Sequence, residues 1–259
     1  MNTQTRTNRI QESLFQILER APLLSVIIFA FAIILIQYLP RFIFTELSPF
    51  YQKYLGKIII SFITIVIISI LGWWKETKFT AFFHWKSWLV CLPLFLLPVI
   101  SAIFSDFYAE SIVQVLIFLI YAFLVGFVEE SVARGLFLRT LRPLGMWRSV
   151  LISSLLFEVM HFGNLLMGAD LGKTVTQMIY ATMIGLSFAG TLSASKTIWP
   201  LIIIHGLIDF FPKLDIPGTS DTSISLITAI IMIGITIPFA IYGLWRLHKQ
   251  TTLIQGTSQ

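Results

Sequence analysis

The chain has 259 residues, of which 56% are hydrophobic and only 12% charged, with a mean hydropathy of +0.85. That balance excludes a water-soluble domain and fits an all-α, polytopic helical membrane protein with a lipid bilayer as its surroundings. The formal charge of +5 is scattered between apolar runs, with no basic block or aromatic-interleaved patch, so it points to membrane topology and not to nucleic acid. A single cysteine, Cys91, allows no intrachain disulfide and reads as core packing.

In chain order, Thr5 to Arg20 comes first. Ile10, Leu14, Ile17 and Leu18 share one helix face there, opposite Arg6, Arg9, Glu12, Glu19 and Arg20, which predicts an interfacial helix within residues 1–22. Apolar runs of spanning length follow near Leu23 to Ile43, Ile58 to Trp74, Trp88 to Phe104, Ile112 to Val128, Val150 to Met167, Val175 to Leu192, Ile198 to Phe211 and Ile224 to Leu244. They make about eight transmembrane helices, the seventh short, in one membrane domain over residues 23–245. No small-residue cleavage site follows the first run, which is therefore a retained span. Asp215 to Asp221, with Pro217 and Gly218, is a turn, and residues 246–259 read as a cytoplasmic tail, disordered from Thr251 onward.

Basic residues orient the spans. With both termini cytoplasmic, Arg6, Arg9, Arg20, Lys75, Lys78, Lys86, Arg134, Arg139, Arg142, Arg148, Lys196, Arg246 and Lys249 fall inside, and only Arg41, Lys53, Lys57, Lys173 and Lys213 outside. The short loops and the lack of an endomembrane address point to a bacterial plasma membrane.

Three ionisable clusters lie within these apolar stretches: Glu129, Glu130 and Arg134; His161; and His205 with Asp209. Charged and imidazole groups at membrane depth are costly unless they face protein or trapped water, so they mark a functional site. The fourth span continues past Glu129 to Leu141, before Pro143, as one long tilted or bent helix, and helical rise then places all three clusters at comparable depth. Glu130 and Arg134, four apart, can pair on one face, while Glu129 is turned about 100° away and is the freer carboxylate. Phe157 and His161 share a face, as do His161 and Asn164, and His205 lies one turn from Asp209. Carboxylates and imidazoles so placed can move protons, activate water or ligate a metal.

The order of the clusters resembles a known family. Glu129-Glu130-Ser131-Val132-Ala133-Arg134, Phe157-Glu158-Val159-Met160-His161 and His205-Gly206-Leu207-Ile208-Asp209 look like the EExxxR, FxxxH and HxxxN/D motifs of the CAAX protease and bacteriocin-processing intramembrane proteases. The resemblance covers a core of about residues 112–211. It implies an endopeptidase acting on a membrane-associated peptide or protein, with Glu129 as general base beside His161, His205 and Asp209 positioning the water or stabilising the oxyanion, and Glu130 and Arg134 bracing the site. Asp209 departs from the asparagine of the eukaryotic members; a carboxylate donates no hydrogen bond unless protonated, so orienting His205 is the role expected of it.

A zinc ion held by Glu129, His161 and His205 is conceivable, since the family is often labelled metalloprotease, but a glutamate and a histidine can activate water unaided and no HExxH motif is present. Glu130 with Arg134 reads equally as a structural ion pair. Glu158 is either an orienter of His161 or an outward-facing carboxylate. Two further readings stand beside the protease: a non-proteolytic immunity factor or regulatory scaffold of the same fold, and a proton-coupled transporter, which the lack of an inverted repeat disfavours.

Overall fold

A computed structural model describes residues 11–12, 16–105, 111–214 and 226–256, and among these there is no strand. The helices are α1 (Pro22–Ile43), α2 (Pro49–Leu71), α3 (Trp85–Cys91), α4 (Leu96–Ile103), α5 (Ile112–Glu130), α6 (Leu138–Leu141), α7 (Met146–Val159), α8 (Leu171–Ala194), α9 (Trp199–Phe210) and α10 (Leu226–Gly256). Among the described residues six stretches are long and apolar enough to cross a membrane: Pro22–Ile43, Pro49–Leu71, Trp85–Ile103, Ile112–Leu144, Leu171–Ala194 and Ala229–Gly256. The other two expected runs form α7 with its 3₁₀ extension Met160–Met167, and the shorter α9. The protein is a polytopic all-α membrane protein.

Local chemistry sets the ends of these elements. Ser48 and Pro49 open α2, the proline at a first-turn position where a missing N–H costs nothing. Ser111 Oγ accepts from the Gln114 N–H at 3.2 Å to cap α5, and Asp170 Oδ1 accepts from the Lys173 N–H at 2.8 Å to cap α8. Pro93 lies in the 3₁₀ turn Leu92–Phe95 that separates α3 from α4.

Three expectations change. The second span begins at Pro49, not Ile58, so Lys53 and Lys57 lie inside a helix instead of in a loop. The fourth span is continuous, but a π-helical turn over Ser131–Phe137 joins α5 to α6. Helix α10 continues through Gly256, so residues 246–256 are helical where a tail was expected. Of the expected interfacial helix, residues 16–20 are helical, with Glu19 Oε1 3.6 Å from Arg139 Nη1. Residues 1–10 and 13–15, and the expected turn from Asp215 to Asp221, lie outside the described residues.

Large apolar side chains such as Phe31, Phe42, Phe62, Ile103, Ile112 and Ile241 are exposed around the outside, where lipid would meet them. Inside, one core gathers Cys91, Leu94, Phe188, Leu192, Ile198 and Leu201, and a second Val26, Ile60, Val128, Val132, Phe137 and Leu141. Without a hydrophobic driving force between helices in lipid, close approach depends on small residues. A Cβ on Gly126 would lie 2.5 Å from the Ile202 carbonyl oxygen and 2.8 Å from the Gly206 nitrogen. That pair of glycines lets α5 and α9 touch, bringing His205 against Glu129 and Glu130.

A lysine ties down the base of α9. Lys78, in the left-handed region at φ 63°, sends its ammonium to the Leu192 and Ser195 carbonyls at the C-terminus of α8, while its own carbonyl accepts from the Ile198 N–H at 3.0 Å.

Candidate active site

Glu129 and Glu130 occupy the last turn of α5, and Arg134 sits in the π-turn. Such turns place one more residue in the helical circuit and recur at functional sites. Glu130 is fully buried and Arg134 nearly so. Arg134 Nε lies 3.3 Å from Glu130 Oε2, an ion contact without hydrogen-bond alignment, and the guanidinium sits 5.4 Å and 5.7 Å from the Phe157 and Phe188 ring centres. The expected pairing of Glu130 with Arg134 is therefore present.

His205, on α9, sits between the two glutamates. Its Nδ1 is 2.6 Å from Glu130 Oε1 and its Nε2 is 3.3 Å from Glu129 Oε2. Asp209 Oδ2 stands 3.8 Å from Nε2, beyond hydrogen-bonding distance, with its side chain 34% exposed. The carboxylate that orients this ring is Glu130, from another helix, and not Asp209 one turn away. His161 sits where α7 passes into its 3₁₀ extension, its Nδ1 3.2 Å from Glu158 Oε2 as a contact without hydrogen-bond alignment, and the Phe157 ring meets it edge-on. Asn164 Oδ1 accepts from the Tyr38 hydroxyl at 3.2 Å.

Glu129 is the more exposed of the two carboxylates, but it too is paired. Lys57 Nζ on α2 donates to Glu129 Oε1 at 2.8 Å and to Gln37 Oε1 on α1 at 3.2 Å, and Lys57 is 7% exposed. An apolar run that starts at Ile58 leaves this residue in a loop. The Ser48-Pro49 start signal would have placed it about 12 Å into the helix, where a lysine needs a partner.

Part of this cluster borders a cavity of about 520 Å³. Glu129, His161, Lys57 and Asp209 line it, with Tyr121, Val125, Phe157 and Met160 as apolar wall. The lining reaches Arg41, Pro49, Gln52, Lys53, Gly168 and Ala169, at the ends of α1, α2 and α8 away from the Lys78 face. Glu130 and Arg134 lie beneath it.

A metal ion carried by Glu129, His161 and His205 needs three donors turned to one point, with a position left for water. Both nitrogens of His205 face carboxylates, His161 Nδ1 faces Glu158, and an ammonium already neighbours Glu129. Among the described residues no three His, Cys, Asp or Glu groups converge as metal ligands, and the Lys57 ammonium already supplies the positive charge beside Glu129.

Comparison with known families matches residues 111–211, about two fifths of the chain, to the model described as type II CAAX prenyl endopeptidase Rce1-like. No curated protein and no solved structure matches. The matched stretch holds all three motifs, whereas Gln37, Tyr38 and Lys57 lie outside it. The motif-bearing region, residues 111–211, is thus similar to the Rce1-like type II CAAX prenyl endopeptidases.

Proposed function

We propose that the protein is a membrane-embedded endopeptidase that hydrolyses a peptide bond in a membrane-associated peptide or protein. The observation that carries this reading is that Glu129 and His161, from separate helices, line one cavity, with His205 from a third helix 3.3 Å behind Glu129. A water held between Glu129 and His161 attacks the scissile carbonyl, and Glu129 takes its proton and passes it to the leaving amine. His205, fixed by Glu130, orients Glu129, and Glu158 orients His161. Arg134 balances the buried Glu130.

Access follows from the cavity's mouth. With both termini cytoplasmic, the ends of α1, α2 and α8 that border the mouth are extracytoplasmic, so substrate enters from outside or from the adjoining leaflet of a plasma membrane. Cleavage of a peptide library by the purified protein, abolished by Glu129→Gln, is the test of the reading.

A further inference from the structure

Resting on the endopeptidase reading, we propose that Lys57 is the group that stabilises the tetrahedral oxyanion. The need arises at Asp209. Hydrolysis moves negative charge onto the substrate carbonyl oxygen, and an oxyanion site must present a donor or a positive charge there. An ionised Asp209 only accepts hydrogen bonds, and its charge opposes the oxyanion.

Lys57, on the cavity lining, meets the requirement. Its ammonium has three N–H groups; Gln37 and Glu129 take one each, and the residue lines the cavity beside Glu129. Gly56 lets α2 approach α1 closely, since a Cβ there would lie 2.5 Å from the Gln37 carbonyl oxygen, and this fixes the lysine's base.

The charge bookkeeping of the step then closes. In the resting site the ammonium faces an ionised Glu129. As water attacks, its O–H bond breaks and the proton goes to Glu129, while the new C–O bond forms and the carbonyl π pair becomes the oxyanion. Negative charge thus leaves Glu129 and reappears on the neighbouring substrate oxygen, with Lys57 positioned to face both. The interaction strengthens as the transition state forms, which is what accelerates a reaction.

The experiment compares wild type with Lys57→Met, Lys57→Gln and Lys57→Arg on a fluorogenic peptide chosen with the wild-type protein, and on a phosphonate analogue of that peptide, whose anionic tetrahedral phosphorus mimics the intermediate. Loss of kcat of about 100-fold in Lys57→Met, with KM within about threefold and phosphonate affinity falling in step with kcat/KM, is expected. Lys57→Arg should recover at least about tenfold of that loss because it restores the charge. If Lys57→Met does not fold, Lys57→Gln, which keeps neutral donors, carries the same expectation. A kcat within about threefold of wild type, or a lower kcat with unchanged phosphonate affinity, would overturn the assignment. No cleavage by wild type would overturn the endopeptidase reading, and this assignment with it.

Discussion

Glu130 Oε1 lies 2.6 Å from His205 Nδ1, so a fully buried carboxylate on α5 fixes the ring of a histidine on α9. Removing its charge is expected to cost far more activity than removing that of Asp209, which stands 3.8 Å from the same ring. Glu130→Gln should lower kcat by about 100-fold or more, because an amide cannot hold the same ring proton as a carboxylate does. Asp209→Asn should stay within about tenfold of wild type. Steady-state kinetics on one peptide decides the order, and a larger loss in Asp209→Asn would return the orienting role to Asp209.

Much of this site was legible in the sequence. The spacing of Glu130 and Arg134 and of Phe157 and His161 fixed their faces, and apolar runs located the helices that carry them. What stayed hidden was contact between helices. A rule of one helical turn offered Asp209 to His205, whereas the tighter partner comes from a helix about 75 residues away, through close packing at Gly126 and Gly206. Lys57 is invisible to apolar continuity, which begins its helix at Ile58; only the Ser48-Pro49 start signal places it inside. The π-turn left no mark in periodicity, because a single widened turn does not interrupt an apolar run.

Helix contact at Gly126 sets the position of His205. Gly126→Ala would place a methyl 2.5 Å from the Ile202 carbonyl oxygen, which is backbone and cannot swing aside. Stability should fall by about 1–3 kcal/mol, as in other overpacked sites, and activity should fall further as α9 moves away from the glutamates. Thermal unfolding in detergent and peptide turnover together check this; wild-type values for both would show that the approach is not needed.

Burial, with the Arg142 charge nearby, pushes the Lys78 ammonium down from 10.5 to about 8. Because the folded value is the lower one, the unfolded chain binds more protons between about pH 8 and 10.5, so this group's contribution to stability rises with pH through that window. Relative to Lys78→Met, the wild-type protein should gain in unfolding midpoint from pH 8 to pH 10. A difference that stays flat or shrinks would show that Lys78 titrates elsewhere.

Sidedness of the cavity is open to labelling. After Cys91→Ala, a cysteine at Gln52, which borders the mouth, should react with an impermeant thiol reagent added to intact cells. One at Lys75, on the opposite basic face, should react only after the membrane is opened. The reverse pattern would turn the protein over in the membrane and make the cavity cytoplasmic.

The proposed function makes this cavity a site of peptide-bond cleavage with Glu129 as its base. The most direct measurement incubates purified, liposome-reconstituted protein with a defined peptide library and identifies new termini by mass spectrometry, with Glu129→Gln and His161→Ala beside the wild type. A reproducible set of cleavages by wild type, lost in both variants while each keeps the wild-type unfolding midpoint to within a few degrees, is expected. Absence of cleavage by the wild-type protein, or an unchanged cleavage pattern in Glu129→Gln, would contradict it.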